Sequence, residues 1–410
     1  MGIRKINTRN FRLATRSTPR DVNRQIVLNL IREHQPISRA ELARRMNVRR
    51  GAVTAIVREL VESGVVDERG TAQVVRGRRP TMLWVHTRNR VVAAVDVRPR
   101  RTAIALADFD GRVLSREDFE TPEAPDGLAE AIAARVGRLV EEATARGGAA
   151  EFEGVGIVVP GMVDRRLGRL IYSPRLGWRD VELRSVITER LGIPVFVESA
   201  PIACAMARLW LAPEETRAVR SFAYVHVSDG VGVGLVLNGE PLRGESHTAG
   251  EFGHVSLDPD GPSCVCGRRG CWEAFACNGA TIDRYAERVF GGVPRARAGR
   301  AAVDIAEVVR RARSGEAAAA EAVVETGRLI GRGLANVVSA FNPGHIFLGG
   351  EITAAWELLE GPMRDAMREG SLTESARVTP VTPDNSPAED RLLGAVAIVA
   401  APTFAAPRIA

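Results

Sequence analysis

The stretch CVCGRRGCWE, residues 264–273, holds three of the five cysteines in this 410-residue chain. His254 precedes it, at the end of the segment AGEFGH (249–254). One imidazole and three thiolates fill a tetrahedral zinc shell, and Gly267 and Gly270 allow the backbone to turn tightly around an ion. We therefore predict a structural zinc site with four protein ligands: His254, Cys264, Cys266 and Cys271.

Two other interpretations of these cysteines are a disulfide and a group of reduced, buried thiols. No apolar run reaches the length of a membrane span, and no apolar segment follows the basic N-terminus as it would in a secretory signal. We expect a cytoplasmic protein with no membrane partner, and reduced thiols in that compartment disfavour a disulfide. Cys204 and Cys277 lie in predicted helices and are expected in the core.

The charge of the chain is unevenly distributed. Residues 1–90 contain 20 Lys and Arg against 7 Asp and Glu, a net charge of +13, while the remainder carries −7. A basic N-terminal region joined to an acidic body indicates a polyanion-binding module on a separate domain. The alternative is a solvated, arginine-rich surface. With 45% apolar residues, the chain can bury the cores of two or three domains.

The basic region has the pattern of a winged helix-turn-helix. A first helix places Val22, Ile26 and Leu30 on one stripe with Val27 and Ile31. Ser38 and Glu41 form a capping box for a second helix, and a third helix follows and stops at Gly64. Two β-type runs within 65–85 then predict a wing. We assign residues 1–20 to a basic arm, 21–86 to this domain and 87–410 to an effector and oligomerisation domain.

In this plan the third helix enters the major groove of double-stranded DNA. Arginines read guanine edges or bind phosphates. A helical bundle for protein contacts is the alternative, and the basic arm is either disordered or inserted into a minor groove. The predicted DNA contacts come from the third helix and the wing: Arg49, Arg50, Thr54, Arg58, Arg76, Arg78 and Arg79.

From about Val91 the chain alternates strands and helices, which predicts an α/β body built in two similar halves. Several of its segments resemble the ROK family, which includes bacterial sugar kinases and sugar-responsive repressors. The resemblance covers nearly the whole chain, and the helix-turn-helix is found only in the repressor branch. The segments that carry it are VVPGMVD (158–164), GVGVGLVLNG (230–239), AGEFGH (249–254), CVCGRRGCWE (264–273) and NPGHIFLGG (342–350).

The resemblance implies two actin-like, ribonuclease-H-like lobes with a ligand in the cleft between them. It implies zinc at the four residues named above, and it matches Glu251, His254 and Glu273 to positions that contact sugar hydroxyls. Carboxylates suit this role because they accept charge-assisted hydrogen bonds. Zinc would hold Glu251 and Glu273 in register without performing chemistry.

Two segments depart from the pattern of a ROK kinase. The Gly-rich phosphate turn is replaced by DVRPRR (96–101), where Arg98 and Pro99 stand in place of small residues. The segment that carries the catalytic Asp reads ESAPI (198–202), with Ala200 at the Asp and Ser199 at a sugar-contacting Asn. Alanine cannot accept a proton, so we predict that the chain is not an enzyme.

We therefore interpret the chain as a DNA-binding transcriptional regulator, a repressor with a structural Zn²⁺. A sugar, phosphosugar or oligosaccharide is the expected effector, and Arg175 would supply positive charge if it faced the cleft. A homodimer or homotetramer is expected from helix-turn-helix geometry. The alternatives are a sugar kinase with an accessory DNA-binding domain, for which Glu198 would have to act as base, and a regulator that binds no sugar.

Overall fold

The computed structural model describes residues 18–71, 81–87, 89–145, 151–216, 218–291, 303–384 and 389–405. The predicted basic arm up to residue 17, and the wing arginines Arg76, Arg78 and Arg79, lie outside these ranges. In the described residues, no helix combines the length and the apolar character that crossing a membrane would require.

The N-terminal region has the helices and the two wing strands predicted from the sequence. A short strand that follows the first helix joins the wing strands in a three-stranded sheet of order β1-β3-β2. The elements are α1 (Thr18–His34), β1 (Ile37–Ser38), α2 (Arg39–Arg45), α3 (Arg50–Glu62), β2 (Val66–Thr71) and β3 (Thr81–Val85).

Helix α1 is buried differently from the predicted stripe. Ile26 is 43% exposed, whereas Leu28, which the periodicity did not select, is fully buried. The helix packs against α3 on one side and against the effector domain on another, so a single stripe cannot describe it. The predicted cap of α2 is confirmed, because Ser38 Oγ accepts a hydrogen bond from the Glu41 backbone N–H at 3.2 Å.

The first lobe is built on a five-stranded sheet of order β11-β7-β4-β5-β6, with a small sheet β10-β9-β8 beside it. The strands β4 and β5 form an antiparallel hairpin, and β7 and β11 run parallel to β4. The elements are β4 (Arg90–Val97), β5 (Arg101–Asp108), β6 (Val113–Glu120), α4 (Pro125–Ala145), β7 (Glu151–Val159), β8 (Met162–Asp164), β9 (Arg169–Ser173), β10 (Trp178–Glu182), α5 (Leu183–Leu191), β11 (Val195–Ser199), α6 (Ala200–Leu211) and α7 (Pro213–Thr216).

The second lobe repeats this plan with a sheet of order β14-β13-β12-β15-β16, in which β12 and β13 form a hairpin and β15 runs parallel to β12. Two 3-10 turns lie at Phe252–His254 and Glu351–Ala355. The elements are β12 (Phe222–Val227), β13 (Val231–Leu237), β14 (Glu240–Pro241), α8 (Trp272–Ala276), α9 (Asn278–Phe290), α10 (Ile305–Arg313), α11 (Ala317–Phe341), β15 (Ile346–Gly349), α12 (Trp356–Glu369), α13 (Glu374–Arg377), β16 (Val381–Pro383) and α14 (Asp390–Phe404).

The last helix, α14, returns to the first lobe and packs against α6, β4 and β7. Its backbone lies so close to β7 that a Cβ on Gly156 would overlap the carbonyl oxygen of Ala395. The α/β class, the two similar halves and the winged helix predicted from the sequence are thereby confirmed. The cleft between the lobes is the place where the candidate ligand-binding residues meet.

Candidate functional site

The four predicted metal ligands come together in one cluster. Their ligand atoms all lie within 4.8 Å of one another. Cys264 Sγ is 3.7 Å from His254 Nδ1, and Cys266 Sγ is 3.7 Å from Cys271 Sγ. A tetrahedral ion with metal–sulfur bonds of about 2.3 Å would separate two sulfurs by about 3.8 Å. The spacing and the chemistry of these donors therefore fit a metal ion of the zinc type.

The loop that carries the cysteines turns where the sequence provides glycine. Gly267 and Gly270 have φ of 90° and 67°, and a Cβ on Gly270 would overlap the carbonyl oxygen of Asp258. Burial raises the pKa of the Cys264 thiol to about 12. A cation at the cluster would replace that proton, because metal binding stabilises the thiolate.

The metal cluster adjoins two carboxylates. His254 Nε2, the nitrogen that faces away from Cys264, lies 3.9 Å from Glu251 Oε2, and Cys264 Sγ lies 3.9 Å from Glu273 Oε1. The side chain of Glu251 is 41% exposed. Partial desolvation of its carboxylate, together with the charge of Glu273, raises the pKa of Glu251 to about 7. Glu251 can therefore accept or donate a hydrogen bond near neutral pH.

These carboxylates line a cavity between the two lobes. The first lobe contributes the turns after β4, β7 and β9 and the start of α6, while the second lobe contributes the β12–β13 turn and the metal loop. His254 also lines it, so one residue belongs to both the cluster and the cavity. The side chains that carry polar groups into the lining are Ser173, Arg175, His226, Ser228, Asp229, Glu251, His254, Glu273 and Arg391.

Arg175 faces this cavity. The sequence alone did not establish the direction of its side chain. Its Nη2 donates to Glu273 Oε1 at 2.9 Å, while Glu273 Oε2 accepts the backbone N–H of Val231 at 3.0 Å. Its Nε–H is buried and has no hydrogen-bond acceptor among the described residues. The neighbouring Trp272 donates its indole N–H to the Leu329 carbonyl of α11. Arg175 therefore offers an unused donor beside a fixed carboxylate.

The position of the expected catalytic base holds no acceptor. Ala200 lines the cavity as the first residue of α6, whereas the preceding Ser199 is buried and does not contribute to the lining. Glu198 is also buried, and its Oε2 accepts bonds from Arg243 at 2.6 and 3.0 Å. A carboxylate neutralised by a guanidinium is a poor base.

The position of the missing phosphate turn is filled by charged side chains. Arg98 pairs with Asp96 of its own lobe and with Glu351 of the other lobe, each at 2.8 Å. Arg391, at the start of α14, pairs with the second oxygen of Asp96 at 2.6 Å. Glu351 and Arg391 could not be recognised from the sequence, because they lie more than 250 residues from Arg98 and Asp96. The chain's own guanidinium groups therefore neutralise Asp96.

The paired glycines after β15 have a packing explanation. Gly350 has φ of 106°, and a Cβ there would overlap the carbonyl oxygen of Val227. A Cβ on Gly349 would overlap the hydroxyl of Tyr224. Both glycines are required by the fold itself and do not by themselves indicate nucleotide binding.

The predicted DNA contacts on α3 lie on its exposed side. Arg49 and Arg50 stand at the N-terminal end of the helix and are exposed. Neither makes an ion pair among the described residues, whereas Arg44 and Arg45 of α2 are both paired with Glu41. Thr54 and Arg58 are likewise exposed. Thr54 Oγ1 donates to the Arg50 carbonyl at 2.9 Å, and Arg58 lies 3.8 Å from Glu62.

The remaining cysteines and His247 lie outside the metal cluster. Cys204 and Cys277 are both buried, as predicted. Cys204 lies in α6 as expected, whereas Cys277 lies between α8 and α9 and not within a helix. His247 adopts φ of 59° in a turn, and its Nε2 lies 3.4 Å from Asp164 Oδ1.

Comparison with known proteins gives consistent matches over both regions. The ROK family model matches residues 92–401, and the MarR family model matches residues 25–69. The chain is 28% identical to the putative xylose repressor of Caldicellulosiruptor sp. (strain Rt8B.4), over 95% of this chain and 98% of that protein. It is also 28% identical to the DNA-binding transcriptional dual regulator NagC of Escherichia coli (strain K12), over 83% of each.

Two solved structures resemble the fold. A ROK family transcriptional regulator, a homologue of the E. coli MLC protein, superposes with a TM-score of 0.79 at 26% identity, over 94% of this chain and 96% of that one. A ROK family glucokinase from Streptomyces griseus, in complex with glucose and AMPPNP, gives a TM-score of 0.64 at 26% identity, over 75% of this chain and 98% of that one. Since the ROK family model spans most of the sequence, the chain belongs to the ROK family.

Proposed function

We propose that this protein is a DNA-binding transcriptional regulator, acting as a repressor, whose zinc-holding ROK domain senses a sugar or a sugar-derived ligand. One observation carries the proposal. The same chain contains a MarR-type helix with exposed arginines and a cavity between the lobes that lacks a general base. Relatives named as xylose repressors align along almost the full chain. A kinase would need a proton acceptor at Ala200, which alanine cannot supply.

The DNA-binding half of the proposal rests on α3. Its N-terminal end presents Arg49 and Arg50, which make no competing ion pair in the described residues, and the exposed Thr54 and Arg58 continue the same surface. A recognition helix reads base edges with residues near its N-terminus. Arg76, Arg78 and Arg79, which the sequence assigns to the wing and which lie outside the described residues, would bind phosphates or guanine edges.

We propose that the chain divides into three functional units. Residues 21–86 form the DNA-binding unit, 87–410 the effector and oligomerisation unit, and 1–20 a basic arm. Because paired helix-turn-helix units bind half-sites related by symmetry, we propose a homodimer or a homotetramer on palindromic DNA.

The effector half rests on the cavity. Glu251, His254 and Glu273 would accept or donate hydrogen bonds to sugar hydroxyls, with Ser199 supporting the adjoining wall. The loss of an Asp at Ala200 removes one negative charge from the cavity, and Arg175 Nε–H has no acceptor among the described residues. Both features favour a phosphosugar, or an oligosaccharide that uses the additional space, over a free hexose.

Zinc would have a structural role. With His254, Cys264, Cys266 and Cys271 as ligands, no coordination position remains for substrate. When bound, the ion supplies a rigid link that fixes His254 and the start of α8, and so the positions of Glu251 and Glu273. The four residues meet the spacing for such an ion, as their donor distances indicate.

DNA binding is tested by fluorescence anisotropy with duplexes that tile the region upstream of the protein's own gene, using shuffled duplexes of equal composition as controls. We expect one duplex to bind at least about 10³-fold more tightly than its shuffled partner. Equal affinity for both duplexes would contradict the proposal.

Effector binding is tested by calorimetry on the zinc-loaded protein. The panel comprises D-xylose, N-acetylglucosamine, free hexoses, their 6-phosphates and short oligosaccharides. We expect a phosphosugar or an oligosaccharide to bind more tightly than a free hexose. The variant Arg175→Met should abolish a preference for phosphate, and Arg179→Met, whose guanidinium lies over the Tyr172 ring, is the matched control. Tight binding of a plain hexose would refute this preference.

A further inference from the structure

Two helices, α6 and α14, each have one end at the interlobe cavity and the other end at the DNA-binding domain. Helix α6 starts at Ala200 in the cavity wall and ends at Leu211. Helix α14 starts at Asp390, beside the cavity residue Arg391, and ends at Phe404. At about 1.5 Å per residue the two helices span about 18 and 22 Å. They are therefore long enough to connect the two sites directly.

The cavity ends of both helices contact both lobes. Pro201 of α6 packs on β13 of the second lobe so closely that a Cβ on Gly232 would lie 2.9 Å from its ring. Asp390 Oδ2 of α14 lies 3.1 Å from Nε2 of His226, another cavity residue. Arg391 Nη2 donates to the Val97 carbonyl of the first lobe at 2.6 Å. A change in the angle between the lobes must therefore displace these helix ends.

The two helices are packed as one unit between their ends. Gly394 of α14 faces Ala203 of α6, and a Cβ on Gly394 would lie 2.8–3.0 Å from the atoms of Ala203. The two helices pack extensively on each other, and Ala207 of α6 is buried in the same hydrophobic cluster as Ala397 and Ala400 of α14. Because close-packed interiors deform little, a displacement at one end is carried to the other.

The distal ends hold the first helix of the DNA-binding domain. The rings of Trp210 and Phe404 are stacked, with centroids 6.4 Å apart, and the guanidinium carbon of Arg32 lies 4.7 Å from the centroid of each ring. Asn29 Nδ2 donates to the Phe404 carbonyl at 2.8 Å. Burial lowers the pKa of Arg32 to about 10, so this side chain remains charged at neutral pH and the cation–π contact persists.

Helix α1 connects this contact to the recognition helix. Val27, Leu28 and Ile31 are buried in one cluster with Val53 and Val57 of α3. Arg24 Nη2 also donates to Ser63 Oγ, at the C-terminal end of α3, at 3.2 Å. A shift or rotation of α1 therefore changes the orientation of α3.

We propose that the helix pair α6–α14 transmits the state of the cavity to the DNA-binding domain, and that Arg32, which contacts the rings of both Trp210 and Phe404, is the residue through which the signal reaches α1. This inference rests on the proposed function, since it concerns how the effector cavity regulates DNA affinity. It assigns positioning roles to Arg32, Trp210 and Phe404, none of which lines the cavity.

The experiment perturbs the cavity by mutation, so it requires no identified effector. Ala200→Leu fills the cavity from the start of α6, and Met162→Phe fills it from β8, which belongs to neither helix. Hydrogen exchange of the α1 amides and affinity for the upstream DNA are measured on the full, zinc-loaded chain. We expect Ala200→Leu to change both quantities, with a DNA affinity change of at least about five-fold, and Met162→Phe to have a smaller effect.

Second-site variants then test the route. Trp210→Ala should abolish both responses to Ala200→Leu, and Trp210→Phe, which retains a ring for Arg32 to stack on, should preserve them. If Trp210 only stabilised the fold, Trp210→Ala would lower the free energy of unfolding by the same amount with and without Ala200→Leu. Both the exchange response and the DNA-affinity response to Ala200→Leu would then remain.

Transmission through the helix pair would be refuted if Ala200→Leu left the hydrogen exchange of the α1 amides unchanged. It would also be refuted if Ala200→Leu still changed that exchange in the Trp210→Ala background. Pro201→Ala, at the next position of α6, replaces Ala200→Leu if that variant does not fold. A wild-type protein that bound no specific DNA would refute the proposed function. The hydrogen exchange of the α1 amides in Ala200→Leu would still decide whether the helix pair transmits the state of the cavity.

Discussion

Arg98 of the first lobe and Glu351 of the second lobe form an ion pair across the cleft, with 2.8 Å between Nη1 and Oε1. Arg98 Nε also donates to Asp96 at 2.8 Å, and the second oxygen of Glu351 accepts from Asn278 Nδ2 at 3.0 Å. These contacts occupy the place where a ROK kinase is expected to carry its phosphate turn. The lobes are thus held together by side chains of the protein itself.

The ion pair predicts a specific pH dependence of stability. Burial alone would raise the pKa of Glu351, but the charges of His226 and Arg98 and the bond from Asn278 lower it from 4.5 to about 2. A carboxyl with a depressed pKa in the folded state stabilises the protein above its unfolded value of 4.5, and this contribution is lost as the pH falls towards 2. Wild-type stability should therefore decrease through this window.

We expect Glu351→Gln to lower the free energy of unfolding at pH 7 by about 1–3 kcal/mol and to flatten the acid dependence below pH 4.5. The measurement is urea unfolding at a series of pH values. Glu360→Gln, which removes a partly exposed pair with Arg364 within one helix, is the control and should cost under about 1 kcal/mol. Parallel pH profiles for wild type and Glu351→Gln would contradict the account.

Phosphoryl transfer should be absent and should not return with one substitution. The zinc-loaded protein is expected to release no ADP above a no-enzyme control when given ATP and hexoses. Ala200→Asp restores a carboxylate but leaves Arg98 and Pro99 where phosphates would have to approach backbone N–H groups, so it should also be inactive. Turnover by the wild type that disappeared in Glu198→Gln would show that another carboxylate acts as base.

Metal content should follow the four clustered ligands. We expect about one zinc per chain by elemental analysis, and loss of most of it in Cys266→Ser. Chelation should lower the melting temperature strongly, because structural zinc sites contribute roughly 10–16 kcal/mol of apparent binding energy in small peptides. Cys277→Ser, buried nearby but outside the cluster, should retain the metal. Unchanged zinc in Cys266→Ser would rule out the assignment.

DNA affinity should depend on the exposed arginines of α3. Arg49→Ala and Arg50→Ala are each expected to weaken specific binding by about 1–3 kcal/mol if they read bases. If Arg79 binds a phosphate, Arg79→Ala should instead weaken binding to all sequences alike and reduce the salt slope by roughly one unit. Arg328→Ala, on α11 of the effector domain, is the control. An unaltered footprint in Arg49→Ala/Arg50→Ala would mean that another element reads the site.

The sequence predicted the metal cluster because its ligands lie close together along the chain. Cys264, Cys266 and Cys271 share one loop with two glycines, so local geometry is sufficient to bring them together. The strands and the capped helix α2 were also predictable, since alternation, turn residues and the Ser38 cap act over short distances. These features depend on residues near one another in sequence.

The contacts that connect domains and lobes were not predictable in the same way. Arg98 meets Glu351, and Arg32 meets Phe404, only after distant segments have packed. Helical periodicity placed Ile26 inside because it assumes one buried face, whereas α1 has two neighbours. Arg175 lies in a loop between β9 and β10. A loop has neither the helical nor the strand periodicity from which the direction of a side chain could be predicted.

The central claim is that the cavity controls DNA affinity, and a DNase footprint on the upstream DNA, with and without the panel of sugars, phosphosugars and oligosaccharides, tests it most directly. We predict a protected palindromic site whose half-maximal protein concentration changes at least about five-fold with one of these ligands. That change should disappear in Glu273→Gln. A footprint that no ligand alters, with no ligand bound in calorimetry, would contradict the account and favour a regulator that does not sense sugars.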